Sequence, residues 1–142
     1  MEPNEGDFRR EAMQISANED FGNAARQRWR RLGEELRADV EEFNSSEGGA
    51  GFSQIGPDQF YIGNSRSGLE VTVTADFDNR IIRYKYDQLN SKSAGVPEGG
   101  MLAMRQSPTG VVELFSADER LTSKSIRKIL LQPVLFPPEM AA

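Results

Sequence analysis

The feature that most constrains the fold is a pair of runs, within positions 69–87, in which apolar and polar residues alternate. The two alternating runs flank Asp78 and Asn79, residue types that accept the positive φ values of a two-residue hairpin turn. A slip of one residue would exchange the two faces, so burial of the apolar face specifies the register. The predicted pairs are Phe77–Arg80, Ala75–Ile82, Val73–Tyr84 and Val71–Tyr86 on the apolar face, and Thr72–Lys85, Thr74–Arg83 and Asp76–Ile81 on the polar face.

A second hairpin is predicted over residues 100–116. Pro108 suits position i+1 of a type I turn, and Gly110 suits the left-handed residue of a three-residue loop. Residues 59–62 form a short apolar run that predicts one more strand, whereas most of the glycine-rich stretch 45–57 is typical of a flexible connection. The sequence therefore predicts an antiparallel sheet of about five strands. In the second hairpin, the predicted pairs are Met104–Leu114, Arg105–Glu113 and Gln106–Val112.

A long helix is predicted from Asn23 onward. Apolar residues recur there at spacings of 3 and 4, which gives one buried stripe over about six turns. A change of pattern at residues 18–23 indicates a kink, a loop or a new helix cap, so residues 1–22 are predicted to be an N-terminal extension that can hold a short helix. The apolar stripe consists of Ala25, Trp29, Leu32, Leu36, Val40 and Phe43.

A second helix is predicted near the C-terminus. Thr122 suits its N-cap, and Pro133 is predicted to end it. The apolar stripe of each helix can cover the apolar face of the sheet. The predicted fold class is therefore α+β, with both helices on one face of the sheet and residues 23–142 forming a single domain.

Composition narrows the chemistry. The chain contains no Cys and no His, so thiol nucleophiles, thiolate metal sites and the commonest acid–base residue are all missing. No catalytic motif was found, and no cofactor or metal is expected. A carboxylate-dependent enzyme stays open, because the sequence cannot show whether two acids share one cleft. A non-catalytic role is favoured.

Charge and hydropathy give the expected partners and location. The formal net charge is −5, from 22 acidic and 17 basic side chains, so nucleic-acid binding is not expected. The first residues lack the apolar core of a secretion signal, and no run reaches the ~20 apolar residues of a membrane span. The sequence therefore predicts a cytoplasmic protein with no membrane association.

The charges of the long helix are unevenly distributed. Arg26, Arg30 and Arg31 belong to its basic first half, and Glu34 and Glu41 belong to its acidic second half. This arrangement opposes the helix macrodipole. Two copies crossing antiparallel would set each basic half against an acidic half, which predicts a homodimer. The alternative is a solvated helix face whose ion pairs contribute little.

The C-terminal stretch Val134, Leu135 and Phe136 is apolar, so these residues must be buried or bound to a partner. Together with the helix charges, they predict a protein-interaction or adaptor module that self-associates. The alternative is a small-molecule-binding domain, with Trp29, Tyr61, Tyr84 and Tyr86 as possible lining of a pocket between helix and sheet.

Overall fold

A seven-stranded antiparallel sheet is covered on one face by two helices in the computed structural model, which describes residues 5–136 and the side chains of residues 17 and 19–136. Each strand pairs with the strand that follows it in the chain, so the sheet is a simple meander. The elements are α1 (Glu5–Ser46), β1 (Ala50–Gln54), β2 (Gln59–Asn64), β3 (Leu69–Asp76), β4 (Ile81–Gln88), β5 (Gly100–Gln106), β6 (Val112–Ser116), β7 (Glu119–Arg120) and α2 (Ser123–Leu135).

The α+β class and the shared helix face are as predicted, but the number of strands is not. The two additional strands are β1 and β7, which form the edges of the sheet. β1 has the sequence AGFSQ and lies within the stretch predicted to be a flexible connection. Its glycine and polar residues have low strand propensity, and pairing with β2 overrides that propensity. β7 has only two residues, too few for a periodic pattern.

The register of the β3–β4 hairpin matches the prediction at all six pairs from Val71–Tyr86 to Asp76–Ile81. The turn itself differs. The residue with positive φ is Arg80, at 56°, and neither Asp78 nor Asn79 has one. The Asp76 carboxylate accepts hydrogen bonds from the backbone and side-chain nitrogens of Asn79, at 3.1 and 2.8 Å, and so holds the loop. A longer loop therefore closes the same register.

The β5–β6 hairpin also has the predicted register, and Gly110 has the predicted left-handed conformation with φ of 90°. The expected ion pair between Arg105 and Glu113 does not form. Arg105 instead lies 3.5 Å from Asp118, and Glu113 lies 3.5 Å from Arg120 on β7. Glu113 therefore pairs with Arg120 of the unpredicted strand β7 and not with Arg105, its neighbour on β5.

α1 is one continuous helix of 42 residues that runs through positions 18–23 without a break. Phe21, within the predicted extension, extends the buried stripe by one turn and is 3% exposed. The short helix predicted within residues 1–22 is therefore part of α1. Residues 1–4 and the side chains of residues 5–16 and 18 lie outside the part of the chain that the structure describes. All six residues of the predicted stripe, from Ala25 to Phe43, are buried.

α2 begins as predicted, because the Thr122 side chain accepts a hydrogen bond from the backbone N–H of Ser125 at 3.1 Å. The prediction that Pro133 ends the helix is wrong, since the helix continues to Leu135. Proline removes the hydrogen bond to the carbonyl four residues earlier, which belongs to Ile129. That carbonyl accepts a hydrogen bond from the Tyr86 hydroxyl at 2.7 Å instead. A side chain of the sheet thus compensates for the proline.

The two helices share the apolar face of the sheet. α2 packs over β2 and β3, and α1 packs against β1, β5 and β6. The opposite face of the sheet carries the predicted polar rows of β3 and β4, with Arg83 and Lys85 exposed. The sheet contributes to the core the buried residues Phe60, Ile62, Leu69, Val71, Val73, Ala75, Ile82, Tyr86, Leu102, Met104, Val112 and Leu114.

Candidate functional site

α1 lies between two surface grooves of opposite character. One groove separates α1 from β1 and is lined by three arginines of α1, and we call it the arginine groove. The other separates α1 from α2, and we call it the interhelical groove. In a helix, residues three and four apart lie on one side, so Arg26, Arg30 and Arg37 line the first groove while Asp39 and Glu42 line the second. The basic and acidic residues of α1 therefore differ in position along the helix and also lie on different sides of it.

The arginine groove has a volume of about 380 Å³. Its floor is aromatic, because the rings of Trp29 and Phe60 stack with centroids 4.0 Å apart and planes 10° from parallel. The Trp29 indole N–H donates a hydrogen bond to the Pro57 carbonyl at 2.9 Å, which fixes the ring between helix and sheet. The groove is lined by Arg26, Trp29, Arg30, Gly33, Glu34, Arg37, Phe52, Gln54, Pro57 and Phe60.

The three arginines of this groove are held differently. The Arg26 guanidinium lies 4.4 Å from the ring centroid of Phe77, and that of Arg37 lies 5.1 Å from the ring centroid of Phe52. Arg30 forms no ion pair with any described residue, and Glu34, one turn further along α1, does not pair with it. A guanidinium over a ring keeps its edge N–H groups available, so all three arginines can still donate hydrogen bonds.

The interhelical groove is larger, at about 590 Å³. Its floor is formed by Phe43, Leu131 and Phe136, and the rings of Phe43 and Phe136 meet edge to face at 5.6 Å. One rim is acidic and comes from α1, and the other is basic and comes from α2. The acidic rim consists of Asp39, Glu42 and Glu47, and the basic rim of Lys124, Arg127 and Lys128.

An ion-pair network ties α2 to α1 beside this groove. Arg127 binds the carboxylates of Glu35 and Asp39 at 3.0 and 2.9 Å. Arg28 and Arg31 lie 3.6 and 3.5 Å from Glu35. Hydrogen bonding to Glu35 raises the pKa of Arg127, whereas burial raises the pKa of the Asp39 carboxyl against the opposing effect of Arg127. The network fixes the angle between the helices that form the two rims.

The structure separates the predicted interaction residues of α1. Arg26, Arg30 and Glu34 lie together in the arginine groove. Arg31 faces the other way and forms an i,i+4 ion pair with Glu35. Glu41 is exposed and lines neither groove.

The apolar C-terminal stretch contains two buried residues and one exposed residue. Val134 and Leu135 are at most 1% exposed and belong to the core, so contacts within the chain account for their apolar character. Phe136 is 59% exposed at the end of the interhelical groove.

The aromatic residues considered for a small-molecule pocket do not share one cavity. Trp29 forms the floor of the arginine groove. Tyr61 lies on the opposite face of the sheet, where its hydroxyl donates to Glu70 at 2.6 Å. Tyr86 is buried against α2, and Tyr84 is a half-buried neighbour of Tyr86 at 6.0 Å.

Several groove residues escaped the sequence analysis. Arg37 was not named as an interaction residue, although its position seven residues after Arg30 indicates the same side of the helix. Phe52 and Gln54 were missed because β1 itself was missed. Lys124 and Lys128 were not named either, although their i,i+4 spacing indicates one side of α2.

The described residues contain no group of three or more acidic side chains arranged to hold a metal ion. Among them, no helix has the length and apolar character needed to cross a membrane. Comparisons with protein-family models, curated proteins and solved structures found no match to this chain.

Proposed function

We propose that this protein is a non-catalytic interaction module that pairs with a second copy of itself through the interhelical groove. The observation that carries the proposal is the groove's pattern of an apolar floor between an acidic and a basic rim. Exposed apolar surface flanked by charged rims is typical of protein-binding sites. Here the floor includes Phe136, one of the most exposed large apolar side chains among the described residues.

The rims make the groove complementary to itself under one symmetry. A twofold axis parallel to the groove exchanges left and right, so the acidic rim of each copy faces the basic rim of the other. A twofold axis across the groove would set acid against acid and is disfavoured by like-charge repulsion. Among the described residues, Glu42, Lys124 and Lys128 form no ion pair within the chain, so they are available for pairing between copies.

This arrangement differs from the antiparallel crossing of α1 expected from its charges. Arg26 and Arg30 face the arginine groove, on the other side of α1 from Asp39 and Glu42. A crossing of two α1 helices along one line would therefore bring few of these opposite charges together. The basic partner for the acidic rim comes instead from α2, through Lys124 and Lys128.

The test uses charge reversal on the two rims. Lys128→Glu places an acid in the basic rim and lowers its charge, and Glu42→Lys places a cation in the acidic rim. We expect the wild-type chain to have the mass of a dimer in sedimentation equilibrium. Each variant alone should have a dimer dissociation constant about tenfold higher than that of the wild type. An equimolar mixture of the two variants restores opposite charges across one interface and should form a heterodimer.

Lys92→Glu is the matched control, because it makes the same charge change in the β4–β5 loop, away from both grooves. The control should keep the wild-type dissociation constant. A wild-type chain that stays monomeric at every concentration overturns the proposal. So does a dimer that neither rim variant weakens.

A further inference from the structure

We infer that the arginine groove binds an acidic peptide segment in extended conformation, which adds to the sheet as a new strand beside β1. This surface is separate from the interhelical groove, and it would give the module a second, different partner. Three features carry the inference: open backbone groups on β1, the spacing of the arginines, and the local balance of charge.

The edge of β1 that faces the groove carries open hydrogen-bonding groups. Along a strand, successive residues direct their backbone N–H and C=O to opposite sides. Ile55 donates to Gln59 at 2.9 Å, so the odd-numbered residues face β2. Ala50 faces away from β2, because both its backbone groups bind the Asn44 side chain of α1, at 2.7 and 3.0 Å.

Phe52 and Gln54 point the same way as Ala50, but no described residue pairs with their backbone groups, because β1 is the edge of the sheet. Both residues line the arginine groove. Asn44 therefore blocks the beginning of this edge and leaves the rest open to an added strand. Addition of a peptide strand to an open sheet edge is a recurrent mode of recognition, in which main-chain hydrogen bonds supply affinity.

The arginines are spaced to match such a strand. β1 and α1 run side by side, since Asn44 meets Ala50 at one end and Trp29 meets Pro57 at the other. Arg26 and Arg30 are four residues apart, which is about 6 Å along a helix. Alternate side chains of a strand repeat every ~6.6 Å. Alternate acidic residues of an added strand would thus meet Arg26 and Arg30, and Arg37 lies about 10 Å further along the helix.

The local charge favours an acidic ligand although the chain is acidic overall. The lining of the groove contains three arginines and one acid, Glu34. At physiological ionic strength, charges more than about 8 Å away are largely screened, so the remote acids of the chain weaken this field little. Guanidinium groups bind carboxylates through charge-assisted hydrogen bonds, which supply the specificity.

The groove suits an extended segment better than a compact small molecule. Its cationic groups are spread over α1 from Arg26 to Arg37, about 16 Å along the helix. The ring faces of Trp29 and Phe60 are used against each other, and both residues are nearly fully buried, so little aromatic surface remains for a ligand ring.

The experiment measures fluorescence anisotropy of a labelled peptide of alternating threonine and glutamate, with a threonine–glutamine peptide as the uncharged probe. We expect the acidic peptide to bind at least about tenfold more tightly than the uncharged one. Arg30→Gln should raise its dissociation constant about fivefold. The matched control is Arg31→Gln, which removes an arginine one position away that faces Glu35, and it should change binding less than twofold.

A second variant tests the added strand itself. Gln54→Pro removes a backbone N–H that faces the open edge without removing a bond to β2, and proline is tolerated at such positions. It should weaken the acidic peptide about tenfold, whereas Gln54→Thr, which keeps the N–H, should not.

Equal binding of citrate and the acidic peptide, with no effect of Gln54→Pro, would indicate a small-anion site and overturn the inference. Failure of the acidic peptide to bind would also overturn it. The failure of this inference is distinguishable from that of self-association, because Arg30 and Gln54 lie outside the interhelical groove and their variants should leave the solution mass unchanged.

Discussion

Tyr86 joins the sheet to α2 through its hydroxyl, which donates to the carbonyls of Ile129 and Leu130 at 2.7 and 3.0 Å. Ile129 lies four residues before Pro133, so its carbonyl has no helical N–H to accept from. A buried carbonyl without a partner costs about 1–3 kcal/mol. The tyrosine therefore makes proline acceptable inside a helix, and α2 can extend far enough to bury Val134 and Leu135.

Tyr86→Phe should lower the free energy of unfolding by about 1–3 kcal/mol, because the Ile129 carbonyl loses its partner. Urea denaturation followed by Trp29 fluorescence measures this change. Tyr84→Phe is the control, since the Tyr84 hydroxyl has no hydrogen bond with the described residues, and it should change stability by less than about 0.5 kcal/mol.

A double variant isolates the role of the proline. In Pro133→Ala, the new N–H can donate to Ile129, so Tyr86→Phe should cost less in that background than alone. Equal costs in the two backgrounds would show that the hydroxyl does not substitute for the missing helical bond.

At the scale of elements, α1 shows what periodicity can and cannot predict. The apolar spacing predicts its buried stripe, and all six residues named from it are buried. The same spacing says which charges share a side but not which element lies there, because β1 and α2 reach α1 only through the tertiary fold. The grooves on either side of α1 were therefore not predicted, although Arg26, Arg30 and Glu34 had been named as interaction residues.

Gly33 marks the closest approach of α1 to the sheet. A Cβ at this position would lie 2.5 Å from Cζ of Phe60, whose ring is stacked on Trp29 and cannot retreat. Glycine in a helix is about 1 kcal/mol less favourable than alanine, and the close packing of α1 on Phe60 offsets that difference. The groove floor depends on this small residue.

Gly33→Ala should destabilise the fold by about 1–3 kcal/mol, because overpacking outweighs the gain in helix propensity. Gly22→Ala is the matched control on the same helix, where a Cβ would meet nothing within 4 Å, and it should stabilise by about 0.5–1 kcal/mol. In thermal denaturation, Gly33→Ala should lower the melting temperature and Gly22→Ala should raise it. A stabilising Gly33→Ala would contradict the close contact between α1 and Phe60.

At the scale of the whole molecule, the free energy of unfolding depends on pH through tyrosines that titrate in alkaline solution. The chain has no histidine, so the free energy of unfolding should be flat between about pH 6 and pH 9. Burial raises the pKa of Tyr61 to about 12, with a further contribution from its hydrogen bond to Glu70. Burial also raises the pKa of Tyr86.

A phenol whose pKa is raised by folding contributes stability that is complete below its ordinary value of 10.0 and is lost as the pH rises through its folded value. We expect the free energy of unfolding to fall between pH 10 and about 12. Urea midpoints measured across this range provide the test. Tyr61→Phe should make the fall shallower, and an unchanged slope would contradict the assignment.

Much of the fold was predictable because alternation specifies the register in both hairpins, and in the second hairpin the turn residue Gly110 also has the predicted conformation. Val73 lies inside and Arg83 outside, as the alternation requires. The edge strands were not predictable, since β1 lies in a glycine-rich stretch and becomes a strand only by pairing with β2. The end of α2 was missed because the compensation at Pro133 comes from a residue 43 positions from Ile129.

The meander has a consequence for synthesis on the ribosome. Every strand pairs with its immediate successor, so each new strand can join the growing sheet as it emerges, without waiting for a distant segment. α1 is made first, yet its contacts include β5 and β6, and α2 is made last. β1 and β2 can cover part of the apolar stripe early, since Trp29 stacks on Phe60, but the contacts with β5 and β6 form only after most of the sheet has been translated. The part of the stripe that waits for them is the natural target for a chaperone.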